Sequence, residues 1–187
     1  MDQTGNEHKR ISRPAYRISA IAILTAIVAV FTLLVRIPIA PTRGYINLGD
    51  VAIYFIAFTM GPISALITAA LGTSLADILS GYPQWALISF FIHVIQGFVA
   101  GSIMRKAVLH NDAGRTLPPV RVILAGLAGS AVMVSFYFLA GAAMAGFGAA
   151  AVEIPGNIIQ NLVGIIGGVL LAKAVINAYP PIRDLYW

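Results

Sequence analysis

The sequence contains no cysteine and very few charged residues. Disulfide bonds and thiolate metal sites are therefore excluded. Only 10% of the 187 residues are charged, compared with about a quarter in a typical soluble domain, and 59% are apolar. This composition predicts an all-α integral membrane protein with little mass outside the membrane.

The sequence also lacks the motifs on which most enzymes depend. There is no glycine-rich phosphate loop ending in lysine, so we do not expect the chain itself to hydrolyse ATP. There is no His-Glu-x-x-His motif, which argues against metal-dependent hydrolysis. Ser89 and His93 fall on one predicted helix face, but no nucleophile-elbow pattern surrounds Ser89. We therefore expect no catalytic residue, metal or cofactor. We also expect no nucleic-acid partner, because membrane topology explains the net charge of +5 better.

Long apolar runs divide the chain into six predicted membrane spans. A helix needs about 20 apolar residues to cross a bilayer, so six spans take up roughly 120 residues. Helices are expected because a lipid-exposed backbone must satisfy its own hydrogen bonds, and the alternation of barrel strands is absent. The spans are predicted near residues 16–37, 47–60, 63–79, 84–104, 120–144 and 154–176. Residues 1–15 and 177–187 form tails on either side of the 16–176 membrane domain, and Gly61-Pro62 is a predicted turn.

The positions of lysine and arginine predict the orientation. If the N-terminus is inside, ten basic residues lie on the cytoplasmic side: Lys9, Arg10, Arg13, Arg17, Arg105, Lys106, Arg115, Arg121, Lys173 and Arg183. Two others, Arg36 and Arg43, lie outside. Because basic residues are enriched in cytoplasmic loops, both termini are predicted to be cytoplasmic and the loop Pro38–Tyr45 to face outside.

The last span opens with four hydrogen-bonding side chains on one face. Glu153, Asn157, Gln160 and Asn161 are spaced i, i+4, i+7 and i+8. At about 1.5 Å per residue the stripe covers about 12 Å, the outer half of the membrane. Such groups would be costly if they faced lipid. The stripe therefore predicts a pocket, with hydrogen bonds between helices and no ligand as the alternative.

A second polar stripe follows the fourth predicted span. Trp85, Ser89, His93 and Gln96 lie at i, i+4, i+8 and i+11 on one helix face. A membrane histidine is often a satisfied packing residue, but its alignment with Trp85 and Gln96 favours a pocket wall. We predict that the two stripes share a cavity open to the outside, and that Tyr137 of the fifth span adds a phenol to it.

Small residues form a stripe on the first span. Ala15, Ser19, Ala22, Ala26 and Ala29 share one helix face. Ala22 and Ala26 make a small-xxx-small pair, a pattern that permits close helix approach in lipid. The stripe either packs inside the protein or docks onto another membrane subunit.

The segment Tyr45-Ile-Asn-Leu-Gly-Asp50 places an amide and a carboxylate at the start of an apolar run. Asn47 and Asp50 are spaced like a helix N-cap and its partner in the first turn, so we expect them to cap the second span. Tyr45 is the residue of this segment best suited to meet a ligand. Asp77, near the outer end of the third span, is expected to pair with one of the two outer arginines.

Together these motifs resemble the substrate-binding S components of the energy-coupling factor (ECF) vitamin transporters. The resemblance covers nearly the whole chain. It is carried by Tyr45-Ile-Asn-Leu-Gly-Asp50, Phe58-Thr-Met-Gly-Pro62, Ala76-Asp77-Ile-Leu-Ser-Gly-Tyr-Pro83 and Ile154-Pro-Gly-Asn157-Ile-Ile-Gln160. The riboflavin-type and hydroxymethylpyrimidine-type branch is the most similar.

This resemblance implies a non-catalytic, six-helix protein of the prokaryotic plasma membrane that captures a vitamin from outside. In the family, the last three helices form most of the pocket, and the loop between helices 1 and 2, here Pro38–Tyr45, caps it. An alanine motif on helix 1, matched by Ala22 and Ala26, docks onto a membrane coupling subunit (T component) that carries two ATP-binding subunits. ATP hydrolysis by these partners topples the S component and releases its cargo inside.

The residues favour a small aromatic vitamin as the ligand. Glu153 suits a basic nitrogen or several hydrogen-bond donors, and Trp85 and Tyr137 can stack on a small ring. Hydroxymethylpyrimidine or a pyridoxine-like vitamin fits these groups. Riboflavin requires a larger pocket. Glu153 would repel the carboxylate of pantothenate unless Arg36 or Arg43 neutralises that carboxylate. These two vitamins remain alternatives, as does a stand-alone secondary transporter.

Overall fold

The structure is a computed structural model that describes residues 4–109, 117–179 and 182. Within these residues the chain forms five long α-helices and a two-stranded hairpin. The helices are α1 Thr4–Leu34, α2 Gly49–Leu79, α3 Pro83–Leu109, α4 Pro119–Ala145 and α5 Phe147–Ala178, and the strands are β1 Arg36–Ile39 and β2 Gly44–Asn47. All five helices are long and apolar enough to cross a membrane.

The chain ends differ in part from the predicted tails. Helix α1 begins at Thr4, within the predicted tail 1–15, although its apolar span starts only at Ala15. Helix α5 ends at Ala178. The remainder of both predicted tails, and part of the predicted polar connection between the fourth and fifth spans, lie outside the described residues: 1–3, 110–116, 180–181 and 183–187.

Helix α2 is interrupted at the position of the predicted turn. Gly61 has φ 86° and ψ −177°, a backbone conformation that glycine adopts without steric cost. Pro62 follows and has no N–H group to continue the helical hydrogen bonds. The described residues thus contain five helices instead of the six that were predicted, because two of the predicted spans lie in one element with a break inside it.

The two parts of α2 run in opposite directions. A straight helix would place Asp50 and Asp77 about 40 Å apart. However, Asp50 comes three residues after the end of β2, and the hydroxyl of Tyr45 in β2 donates to Asp77 Oδ1 at 2.6 Å. The chain therefore folds back at its break, and we name the two parts α2a (residues 49–60) and α2b (residues 62–79).

Glycines bring α3 into backbone contact with α2b. A Cβ atom at Gly101 would lie 2.6 Å from Pro62 Cα, and one at Gly97 would lie 2.9 Å from the Ala65 carbonyl oxygen. The two glycines are four residues apart, so they form one face of α3, the arrangement that allows close helix packing in membranes. Only hydrogen atoms fit between these backbones.

The same arrangement brings α5 against α2a. A Cβ atom at Gly164 would lie 2.5 Å from Asp50 Cβ, and one at Gly168 would lie 2.8 Å from Tyr54 Cβ. Within residues 49–60 every position except Val51 is buried. Helix α2a is therefore the centre of the bundle, and any polar group on it has to find its partners inside the protein.

The predicted loop Pro38–Tyr45 belongs to a β-hairpin, which the all-α prediction did not include. Strand β1 pairs with β2 in antiparallel register, with Pro38 opposite Tyr45. Helix α1 ends at Leu34, before the predicted end at Ile37, and Ile37 pairs with Ile46 in the hairpin. Branched and aromatic side chains favour strands, which explains the pairing. We call the side of the bundle that carries this hairpin the hairpin end.

We expect Gly101→Ala to destabilise the protein by about 1–3 kcal/mol, because its methyl group would overlap the Pro62 backbone. Thermal unfolding in detergent should show a lower Tm. Gly148→Ala is the matched control, since a Cβ atom there would have no neighbour within 4 Å. Equal Tm values for the two variants would contradict the close packing of α3 on α2b.

Candidate substrate-binding site

A small cavity of about 30 Å³ lies at the hairpin end. Side chains from the hairpin, α2b, α3, α4 and α5 surround it. The lining residues are Ile39, Gly44, Tyr45, Asn47, Asp77, Trp85, Ser89, Met133, Tyr137, Glu153, Asn157 and Gln160. The cavity is thus assembled from segments far apart in the sequence.

The residues predicted to bind substrate fall into two layers. Most of them line the cavity: Tyr45, Trp85, Ser89, Tyr137, Glu153, Asn157 and Gln160. The other three, His93, Gln96 and Asn161, are buried behind the lining and bind other side chains. Contact of any of these residues with a ligand stays a prediction.

The hairpin is tied to the helices at two points near its turn. The indole Nε1 of Trp85 donates to the carbonyl oxygen of Arg43 at 3.0 Å. The hydroxyl of Thr42 donates to Glu153 Oε1. Trp85 and Glu153 therefore serve both as cavity walls and as attachment points for the hairpin that covers them.

Tyr45 and Asp77 make a third attachment. The phenol of Tyr45 donates to Asp77 Oδ1 at 2.6 Å, and its ring lies 4.7 Å from that of Tyr82, measured between centroids. Burial, and then the neighbouring Asp77 carboxylate, raise the pKa of the Tyr45 phenol above its usual value. The phenol therefore keeps its proton at neutral pH and remains a donor to Asp77.

The predicted ion pair of Asp77 with an outer arginine is wrong. Its Oδ1 is bound by Tyr45, and its Oδ2 is buried without a hydrogen-bond partner among the described residues. Arg36 and Arg43 are both exposed on the hairpin. Pairing of the strands instead brings the Tyr45 phenol to the carboxylate.

Asp50 is the centre of a buried polar network behind the cavity. Its side chain is 1% exposed. Gln96 Nε2 of α3 donates to Asp50 Oδ1 at 2.6 Å, and Gln160 Nε2 of α5 donates to Oδ2 at 2.6 Å. One carboxylate thus connects the two helices that carry the predicted polar stripes.

The predicted capping pair of Asn47 and Asp50 is half right. Asn47 Oδ1 accepts from the backbone N–H of Gly49 at 2.7 Å, a bond to the first turn of α2a, although the residue preceding the helix is Leu48. Asp50 does not act as the partner in a capping box. Because α2a is enclosed by other helices, the carboxylate faces the amides of Gln96 and Gln160 instead.

A chain of hydrogen bonds leads from the cavity wall to Asp50. The Tyr137 hydroxyl lies 2.7 Å from Ser89 Oγ and 3.2 Å from His93 Nε2. His93 Nδ1 lies 2.5 Å from Gln96 Oε1, and Gln96 donates in turn to Asp50. Both ring nitrogens of His93 are engaged, so this residue orients Tyr137 and Gln96 and does not line the cavity.

Tyr54 completes the network on the side away from the cavity. Its hydroxyl donates to Asn161 Oδ1 at 2.9 Å, and Asn161 Nδ2 contacts Met133 Sδ at 3.1 Å. Tyr54 was assigned no role from the sequence. Its spacing of four residues from Asp50, on the same helix face, was the available signal.

Five cavity residues were not assigned to the site from the sequence: Ile39, Gly44, Asn47, Asp77 and Met133. Asn47 and Asp77 were recognised as polar but were interpreted as a cap and an ion pair. Ile39 and Met133 carry no polar signal. Gly44 acts by its lack of a side chain, because a Cβ atom there would lie 2.7 Å from Glu153 Oε1.

The cavity combines aromatic rings with acidic groups. The rings of Trp85 and Tyr137 lie 5.8 Å apart, measured between centroids. Asp77 and Glu153 supply carboxylates, and the described lining residues include no lysine or arginine. Such a site suits a small aromatic molecule with hydrogen-bond donors and disfavours an anion.

We expect Asp50→Asn to lower the Tm markedly. It would place an amide donor opposite the donor of Gln96 or Gln160, and a buried donor without an acceptor costs about 1–3 kcal/mol. Ser130→Ala is the control, because it removes one hydroxyl that lies 3.2 Å from Tyr54 at the edge of the network. A loss of Tm in Ser130→Ala as large as that in Asp50→Asn would contradict the central role of the carboxylate.

Comparison with known proteins is consistent with this architecture. The family model described as ECF-type riboflavin transporter, S component, matches residues 14–177. The chain is 34% identical over 141 residues to an uncharacterized protein of Pyrococcus woesei, covering 75% of this chain and 88% of the relative. It is 30% identical over 160 residues to the thiamine precursor transporter HmpT of Lactococcus lactis subsp. cremoris, covering 85% of this chain and 87% of that protein. The chain therefore belongs to the family of ECF-type riboflavin transporter S components and is a non-catalytic, multi-pass membrane protein of vitamin-type substrate transport.

Proposed function

We propose that this protein is the substrate-capture subunit of an ECF-type ABC importer, with hydroxymethylpyrimidine or a pyridoxine-like vitamin as its favoured ligand. The observation that carries this proposal is the cavity beneath the hairpin, with aromatic and acidic walls. Membership of the family supports vitamin transport. The name of the relative HmpT, a thiamine precursor transporter, supports the pyrimidine-type ligand.

Some of the lining residues suit contact with an aromatic ring, and others suit hydrogen bonding to the ligand. Trp85 and Tyr137 offer faces and edges to a small aromatic ring. Asn157 and Gln160 of α5 supply amide groups, and Glu153 supplies an acceptor. These residues, with Tyr45 and Ser89, are our proposed ligand contacts, and His93, Gln96 and Asn161 are proposed to support them from behind.

The charge of the cavity separates the candidate vitamins. Pantothenate would bring a third carboxylate next to Asp77 and Glu153. Arg36 and Arg43 do not line the cavity and are exposed, so neither is placed to neutralise that charge. Riboflavin carries three fused rings that must fit between side chains already in contact with the hairpin. The two carboxylates of the lining therefore favour a small ligand with N–H donors.

The fold-back of α2 supports six membrane crossings. We propose that α2a and α2b each count as one crossing, so that the described helices cross in alternating directions and the hairpin end faces one side of the membrane. The basic residues Arg105, Arg121 and Lys173 lie toward the opposite ends of their helices from the hairpin. The bias of basic residues to the cytoplasm supports our proposal that both termini lie inside the prokaryotic cell and the hairpin lies outside.

The exposed face of α1 is proposed to dock onto the coupling subunit. Ala22 and Ala26 are exposed, whereas Ala29 on the same stripe is 5% exposed and packs inside. Internal packing therefore accounts for Ala29 but not for the small size of the other two. We assign Ala22 and Ala26 to contact with a T component that carries two ATP-binding subunits, whose ATP hydrolysis drives release inside.

We expect Ala22→Trp and Ala26→Trp to abolish uptake in proteoliposomes that contain the coupling subunits, while the Kd of the vitamin stays unchanged. A bulky indole would prevent close approach of the partner helix but lies far from the cavity. Leu127→Trp, at a position that is 60% exposed on α4, is the control and should transport normally. Loss of binding together with uptake would show that the stripe is part of the internal packing.

We expect Asn157→Ala to weaken binding of hydroxymethylpyrimidine by about 3- to 10-fold and Glu153→Ala by roughly tenfold or more. Glu153 has the larger effect because it also holds Thr42 of the hairpin. Isothermal titration provides the Kd values, and Asn177→Ala, at an exposed position near the end of α5, is the matched control. Unchanged affinity in both cavity variants would remove α5 from the binding site.

A further inference from the structure

Asp77 stands out among the residues that line the cavity. It is 4% exposed, and its Oδ2 atom is buried without a hydrogen-bond partner among the described residues. No other lining residue has such an atom on its side chain within the described chain. A buried carboxylate oxygen without a donor is costly, so a donor brought by a ligand would offset this cost.

We propose that Asp77 Oδ2 accepts a hydrogen bond from an N–H group of the ligand, and that it thereby selects vitamins with an amino group or protonated nitrogen on a small aromatic ring. This inference rests on the proposed function and adds a specificity-determining residue to it. Asp77 is the residue that was predicted from the sequence to form a structural ion pair with an outer arginine.

The surroundings of Asp77 fix the orientation of its carboxylate. Tyr45 donates to Oδ1 at 2.6 Å, so this oxygen is committed to the hairpin. The Ser89 hydroxyl lies close enough to act on the carboxylate as a hydrogen-bond donor, and His93 lies near it as well. However, Ser89 Oγ is 2.7 Å from the Tyr137 hydroxyl, both nitrogens of His93 are engaged elsewhere, and neither residue binds Oδ2.

The position of Asp77 relative to the aromatic walls supports recognition of a ring substituent. Ser89 is one helical turn from Trp85 on α3, and Trp85 faces Tyr137 with ring centroids 5.8 Å apart. A ring that contacts these two side chains would present an edge to the Asp77 side of the cavity. An amino group on that edge would meet an acceptor that has no protein donor.

A carboxylate in this position selects against ligands as well as for them. A site whose buried polar group requires a partner strongly rejects an analogue that lacks the partner. A hydrogen bond to a charged group changes Kd by about 10- to 150-fold. We therefore expect the protein to distinguish 4-amino-5-hydroxymethyl-2-methylpyrimidine from its analogue with hydrogen in place of the amino group.

The test is the ratio of the two Kd values, measured by isothermal titration on the full-length protein and on two variants. The parent protein should prefer the amino compound by about 10- to 150-fold. In Asp77→Asn, with the amide NH₂ at the Oδ2 position, the ratio should fall close to one. Tyr45→Phe is the control for the hairpin attachment: it should weaken both compounds to a similar extent and leave the ratio as in the parent.

The outcomes separate this inference from the function on which it rests. A preference for the amino compound that survives in Asp77→Asn, or an equal Kd for both compounds in the parent, overturns the role of Asp77 and leaves vitamin capture intact. The parent measurement decides this even where the variant does not fold. Binding of riboflavin, pantothenate or no vitamin by the parent, in place of either pyrimidine, contradicts the proposed ligand and overturns the inference with it.

Discussion

The architecture of the site depends on the way in which Asp50 is satisfied. A carboxylate in the centre of a membrane helix bundle is stable only if hydrogen-bond donors surround it. Gln96 and Gln160 each place an amide nitrogen 2.6 Å from one of its oxygens. The requirement of a single charged group therefore fixes α3 and α5 around α2a, and polar side chains nearer the hairpin end on those helices become cavity walls.

The break in α2 gives the second carboxylate its different role. Because the chain reverses at Gly61, Asp77 returns to the end of the bundle where Asp50 begins its helix. Asp50 is enclosed by helices and has donors for both oxygens. Among the described residues, Tyr45 of the hairpin donates to Asp77 Oδ1, and Oδ2 is buried without a hydrogen-bond partner. The structural carboxylate and the proposed ligand-binding carboxylate thus differ by what packs against them, not by their residue type.

Helical periodicity was sufficient to predict which side chains share a face but not how deep they lie. The spacing of Glu153, Asn157 and Gln160 indicated one wall, and the structure places all three at the cavity. His93 continues the stripe of Trp85 and Ser89, yet it lies behind Tyr137 because the cavity ends one turn earlier. The depth of a cavity depends on side chains from other helices, and a single helix pattern carries no information about them.

The hairpin was not predicted because it, too, depends on contacts with other parts of the chain. Its strands are only four residues each, and their pairing is stabilised by contacts with Trp85, Glu153 and Asp77, which are distant in the sequence.

The central claim, that a vitamin is captured beneath this hairpin, is tested most directly by mass spectrometry of retained ligand. The purified protein would be incubated with equimolar aminohydroxymethylpyrimidine, pyridoxine, riboflavin and pantothenate, freed of unbound compounds and denatured. We predict about one pyrimidine or pyridoxine molecule released per chain, and release of none of the four from folded protein would contradict the account.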